Sequence, residues 1–222
     1  MPRALTAAGG IDALTHSLEA LASFMASDFT TPLAMEAARL LFEFLPRAYD
    51  KGAADIEARQ AVHNAATMAG MAFANAFLGL CHSMAHKLGA RYHLPHGVAN
   101  ALIIEKVMAY NAHPAPTKMA AFAQYRYPMA GAAYARLARY LGLAGGSDEE
   151  LLQSLNAAVA ALKARMGIPA SIQAAGVDEK VFLADLDALA LDAFDDQCTG
   201  ANPHYPLIAE IKELYLRAYY NN

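Results

Sequence analysis

Charge and cysteine are both scarce in this sequence. Only 17% of its 222 residues are charged and the formal net charge is -4. No basic run of the kind that grips phosphates is present, so nothing in the composition points to nucleic acid. The two cysteines, Cys81 and Cys198, make neither a disulfide framework nor a CxxC metal signature, and a reducing cytoplasm is the simplest setting for them. Residues 1–10 lack the apolar core of a secretory signal. The most apolar window, residues 65–81, is too short to cross a bilayer and carries Thr67 and Asn75 among its alanines and glycines, so it predicts a buried helix and no membrane partner. Period-two alternation, internal repeats, low-complexity tracts and linkers are all missing, as is a glycine-rich phosphate loop on a strand-to-helix turn.

What remains is a chain that is 56% hydrophobic and long enough to bury a large core. It is apolar for a soluble protein and is expected to cover part of its surface with something else. Apolar residues recur at helical spacing almost throughout, which predicts an all-α, multi-helix bundle of about nine to eleven helices in a single domain, residues 1–222. Thr6 is the expected cap of the first helix, and Pro32 sits early in the second, which runs to about Tyr49. Residues 50–54 read as a loop and Asp55 as the cap of a long third helix. That helix is polar up to His63 and then almost wholly apolar, as expected of a segment entering the middle of a bundle. Further helices are expected at 97–110, around 119–125, up to Tyr140, and after Ser147, which with Glu150 forms a capping box. A short helical turn near 171–175, a helix capped by Asp178, a 12-residue loop (DDQCTGANPHYP) and a final amphipathic helix complete the reading.

The organising stretch is GLCHSMAHKLGARYHLPHGVAN, residues 79–100, with four of the eight histidines. His82 and His86 are four apart and share a helix face. Gly89, Pro95 and Gly97 then force a turn, which brings His96 back toward them. Imidazole suits zinc, iron, copper and nickel. Near the N-terminus Asp12 and His16 are also four apart, with Glu19 on the same face, among residues too small and apolar to leave a charge without a partner. Asp12, His16, His82 and His96 together make three imidazoles and one carboxylate, a set suited to a borderline divalent ion. An ordinary surface ion pair at Asp12 and His16, and a hydrogen-bonded core pair at His82 and His86, are the plain structural alternatives.

LTAAGGIDALTHSLEA, followed about 70 residues later by GLCHSMAHKLGARYHLPHGVANA, resembles the helical domain of the iron-containing, group III alcohol dehydrogenases. YRYP and DDQCTGANPHYPL look most like the alcohol dehydrogenase half of the bifunctional aldehyde-alcohol dehydrogenases. The resemblance implies Asp12, His16, His82 and His96 as ligands of Fe2+, with Zn2+ an alternative. It implies His86 as the catalytic and cofactor-facing histidine, and Phe73 and Cys198 as lining a pocket for a small alcohol or aldehyde substrate. His93 matches no family site, and His204 stands where related loops commonly carry arginine. The resemblance also implies NAD, held by a preceding dinucleotide-binding domain that these residues do not include, and a homo-oligomer or filament. An NAD-dependent alcohol dehydrogenase follows, with the isolated fragment expected to lack activity. A metal-dependent hydrolase and a non-enzymatic helical interaction module are the rival readings; the absence of HExxH counts against a protease.

Overall fold

A computed structural model describes residues 1–113 and 129–222. The expected helix around 119–125 and the YRYP motif lie outside the described residues. Among the described residues there are nine α-helices and no strand: α1 (Arg3–Ala22), α2 (Thr30–Lys51), α3 (Ile56–Ala76), α4 (Leu80–Tyr92), α5 (His96–Ala112), α6 (Ala130–Tyr140), α7 (Asp148–Arg165), α8 (Glu179–Phe194) and α9 (Ile208–Tyr220). Short 3-10 turns occur at Gly52–Ala54 and Thr199–Ala201.

The central element is α1, which packs on α2, α3, α5 and α6. Ile11, Leu14 and Leu18 are fully enclosed, and so are polar residues on other sides, Thr15, Ser17 and Glu19. A helix buried all round must satisfy its polar side chains internally. Thr15 and Ser17 do so by donating to carbonyls one turn back, those of Ile11 and Ala13. α5 is the second inner helix, packed against α1, α4, α6, α7 and α9. Its Ala101, Leu102, Ile103 and Ile104 are all buried.

α3 corrects the expectation of a central helix. Its buried stripe is Ala58, Val62, Ala65, Ala69, Ala72 and Ala76, turned toward α1 and α2, while Ala66, Thr67, Met71 and Ala74 are exposed. Composition could not separate the two faces, because alanine favours helix equally on either side. Alanines along the inner stripe let α1 and α2 pack closely on it.

Local signals fix most helix ends. Asp55 accepts from the amide of Ala58, Asp178 from that of Val181, and Ser147 from that of Glu150. The Ser147 box is half formed, since the Glu150 carboxylate returns to the amide of Gly146 and not to that of Ser147. Thr6 is not a cap: α1 begins at Arg3 behind Pro2, and the Thr6 hydroxyl donates to the Pro2 carbonyl. The predicted loop at 50–54 is the last residues of α2 followed by a 3-10 turn, and residues 171–175 form a turn. No single helix among the described residues is long and apolar enough to cross a membrane; α3 and α4 together are, but bent by 109°.

That bend aims α4 at the centre of the molecule. Phe77, at φ 61°, turns the chain out of α3. Gly79 then passes where a Cβ would meet the Asn202 amide oxygen at 2.7 Å and a Glu19 carboxylate oxygen at 3.1 Å. Both oxygens serve the start of α4, which has no side-chain cap of its own. Asn202 Oδ1 accepts from Leu80 N at 3.0 Å and Glu19 Oε1 accepts from Cys81 N at 2.7 Å. These are amides that a helix start leaves without an internal partner, and the carboxylate also meets the positive end of the helix dipole. Asn202 belongs to the 12-residue loop, which dives inward as Cys198, Thr199, Ala201, Asn202 and His204.

Candidate metal centre

Three helices bring the site together. Asp12 and His16 lie on successive turns of α1, His82 in the first turn of α4, and His96 at the first position of α5. Their donor atoms all lie within 4.8 Å of one another. Asp12 Oδ1 is 3.3 Å from His96 Nε2 and 3.7 Å from His82 Nε2, and Asp12 Oδ2 is 3.9 Å from His16 Nε2. Nitrogen and oxygen atoms that share one ion at about 2.1 Å stand about 3.0–3.5 Å apart at the angles of tetrahedral or octahedral coordination, so the cluster needs only a small contraction to close on one ion. The imidazoles of His16 and His82 stack at 4.7 Å, and those of His82 and His96 tilt against each other at 5.2 Å. The four residues expected from the two histidine motifs are therefore brought together, and their chemistry fits a divalent metal.

The approach of α1 to α5 depends on Gly97, next to His96. A Cβ at this position would lie 2.0 Å from the carbonyl oxygen of Ala8, one turn before Asp12. Asn100, one turn after His96 and fully buried, aims its amide nitrogen at Asp12 Oδ1 (2.7 Å) and at the Nε2 atoms of His82 and His96 (3.2 Å each). Its spacing of four from His96 was the available signal.

Electrostatics divide the histidines. Burial lowers the His16 pKa to about 4, only partly opposed by Asp12, and burial likewise lowers that of His96. Burial would also lower His82, but the Glu19 charge and hydrogen bonds to Asp12 and Glu19 outweigh it and raise the pKa to about 9. For Asp12, burial pushes upward and loses to the His82 hydrogen bond and the neighbouring imidazoles, so its carboxyl stays below the usual range. The cluster thus keeps the Asp12 carboxylate and the weakly basic imidazoles of His16 and His96 ready for a cation, while His82 has a proton to give up when a cation enters.

His86, on the next turn of α4, stacks on His96 at 5.5 Å. Its Nδ1 is 3.0 Å from Asp196 Oδ2. Asp196 also receives Lys87 Nζ at 2.9 Å and, through Oδ1, the amide of Cys198 at 3.0 Å. Burial raises the Asp196 pKa, but the Cys198 amide, Lys87 and His86 together bring it down to about 2. Burial pushes the Cys198 thiol up to about 12, so it is no thiolate ligand at neutral pH. Cys198 accordingly sits beside His86, while Phe73 on α3 stacks on His16 at 4.5 Å. His93 is an exposed left-handed C-cap of α4, away from the cluster. His204 is in the expected loop but buried, its Nδ1 3.2 Å from the Tyr110 carbonyl and its ring stacked on Tyr110 at 4.4 Å.

Comparison with known proteins places the chain among relatives of the same fold. Residues 6–219 match the family described as the Fe-containing alcohol dehydrogenase family, C-terminal. The chain is 54% identical over 222 residues to the bifunctional aldehyde-alcohol dehydrogenase of Escherichia coli strain K12, covering 99% of this chain and 25% of that protein. It is 40% identical to the NADPH-dependent butanol dehydrogenase of Clostridium saccharobutylicum, covering 99% of this chain and 52% of that protein. Among solved structures, an iron-containing alcohol dehydrogenase from Thermococcus thioreducens superposes with a TM-score of 0.83 at 35% identity, covering 100% of this chain and 52% of that one. A 1,3-propanediol oxidoreductase superposes with a TM-score of 0.85 at 36% identity, covering 99% and 53%. The chain thus spans about a quarter of the aldehyde-alcohol dehydrogenases, and about half of the shorter enzymes, that it matches.

Proposed function

Because this chain belongs to the iron-containing alcohol dehydrogenase family through its C-terminal part, we propose that it is the metal-holding, substrate-facing domain of an NAD-linked dehydrogenase interconverting primary alcohols and aldehydes. The observation that carries the reading is the meeting of Asp12, His16, His82 and His96 from three helices, with three Nε2 atoms turned toward one carboxylate. These four residues would hold the ion, Fe2+ by family and Zn2+ as the alternative, since both accept imidazole and carboxylate. Such an ion supplies Lewis acidity to the alcohol oxygen, or to the aldehyde carbonyl in reverse.

The chain's own residues supply the surroundings. The Phe73 ring against His16 and the buried Cys198 give the substrate an apolar wall. His86 is the proton-handling group: Asp196 holds its Nδ1, and its side chain is 34% exposed, so a path to water exists. By the family resemblance, His86 is also the residue that would stand near a nicotinamide.

Hydride transfer needs a nucleotide-binding domain in addition to these residues, in keeping with the share of its relatives that the chain spans. Exposed apolar side chains at the outer side and end of α3, Met71 at 54% and Phe77 at 55% exposure, are in keeping with this division. Metal analysis of the chain prepared without air tests the proposal. About one ion per chain, lost in both His82→Ala and Asp12→Ala, is the expected result; no ion in any preparation would overturn it. Turnover of ethanol with NAD at full family-like rates by the 222 residues alone would overturn the division of labour.

A further inference from the structure

Glu19 is buried at the bottom of the proposed site, 3% exposed, and its two oxygens are both committed. One accepts from the amide of Cys81 at 2.7 Å; the other meets Nδ1 of the adjacent residue, His82. A carboxylate is acceptor-only, so this second contact requires the proton of the imidazole to sit on Nδ1. Nε2, the nitrogen facing Asp12, is then the one that gives its lone pair to a cation, in the neutral ring that a cation selects. We propose that Glu19 is the positioning residue for His82, fixing its tautomer and ring orientation so that it ligates through Nε2. The inference rests on the reading of Asp12, His16, His82 and His96 as metal ligands.

Two further observations support it. Anchoring Oε1 to the first turn of α4 removes the freedom of the carboxylate to follow the ring, so the Cys81 contact holds the Glu19 to His82 alignment as well as capping the helix. Charge balance agrees: a buried dication needs compensation, and Asp12 and Glu19 together offer two negative charges against the neutral rings of the three histidines. Outer partners of this kind set the basicity of a ligating histidine, and their loss weakens metal binding about 10–100-fold.

Glu19→Gln is an informative change because it cannot serve both neighbours. If the amide oxygen keeps the Cys81 bond, the NH2 group faces Nδ1 and drives the imidazole proton to Nε2, the ligating atom. If it turns, two donors meet at Cys81. Zinc and, without air, iron(II) affinities are measured on the full chain by competition with a chromophoric chelator, with thermal unfolding of the metal-free proteins as the check on folding. The expected result is affinity about 10–100-fold weaker in Glu19→Gln than in wild type, with folding retained. Equal affinity in a folded variant would overturn this inference alone; a wild-type chain that binds neither ion would overturn it together with the metal reading. Nitrogen-15 spectra of the zinc-loaded wild type need no variant to fold. A protonated, exchange-protected Nδ1 at His82 is expected, and a metal-bound Nδ1 would overturn the proposal.

Discussion

His82 and His204 are both buried histidines, 1% and 5% exposed, and they are put to different uses. His82 stands at the crossing of α1, α4 and α5, between the carboxylates of Glu19 and Asp12 and beside two more imidazoles. His204, in the corner between α5 and α9, meets the Tyr110 carbonyl and stacks on the Tyr110 ring. The carboxylate of that corner, Glu210, accepts from the Tyr110 hydroxyl at 2.8 Å and from the Leu207 amide at 2.7 Å, closing the start of α9. Burial alone therefore does not mark a histidine for metal. The proposed metal reading of His82 rests instead on convergent nitrogen and oxygen donors and on a second carboxylate against the ring.

The comparison can be broken most directly by removing one histidine at a time. His82→Ala is expected to abolish metal binding, whereas His204→Ala keeps about one ion per chain and costs about 1–3 kcal/mol through the lost ring stack on Tyr110 and the lost hydrogen bond to its carbonyl, which keeps the amide of His113. Metal analysis and urea unfolding of the two variants read both numbers; a His204 variant that lost its ion would erase the distinction. Gly97→Ala sharpens the same contrast through the backbone. The new Cβ collides with the Ala8 carbonyl, so a loss of about 1–3 kcal/mol is expected from overpacking, together with weaker metal binding as His96 is moved from Asp12. The His204 corner stays intact, and its ring signals in a proton spectrum should not shift.

Asp196 separates the two regions by pH. Its folded pKa, about 2, is below the unfolded value near 3.8. The stability it contributes is present above about pH 4 and disappears as pH falls through about 2. Asp196→Asn is therefore less stable than wild type at pH 6, and the two unfolding curves should converge at pH 2. A gap that persisted at pH 2 would mean that the carboxylate charge is not what Lys87 and His86 hold. The smallest effect belongs to Tyr110→Phe, which keeps the stack on His204 but removes the hydroxyl from Glu210. A loss of about 0.5–1.5 kcal/mol with unchanged metal affinity is expected, read by the same urea curves and chelator competition.

The site was legible in sequence where its logic is local. Asp12 with His16, and the dense run holding His82 and His96, announce themselves by spacing and residue type, and the turn at Gly89, Pro95 and Gly97 implies their meeting. Glu19 was visible as an acid on the Asp12 face, but nothing in its neighbourhood reveals a partner 63 positions away. Asp196 is hidden in the same way: its contact with His86 spans 110 positions. The helical class and most caps followed from periodicity and from Asp55, Ser147 and Asp178. The outward face of α3 did not, because alanine gives no sign of which way it points. Nor did the inward course of the 12-residue loop, whose backbone is satisfied by Asn202, bonded to Asn111, to the His204 carbonyl and to Leu80 N.

The tethering of α4 bears on how this molecule breathes. Its first amides are held by Asn202 and Glu19, 122 and 62 residues distant in the chain. Ordinary helix ends fray one turn at a time and exchange their amide hydrogens quickly. Here the end can open only when α1 or the 195–206 loop parts from it, so the amide protons of Leu80 and Cys81 should exchange with deuterium as slowly as those of buried mid-helix residues. The start of α4 is a place where local and global opening have become the same event.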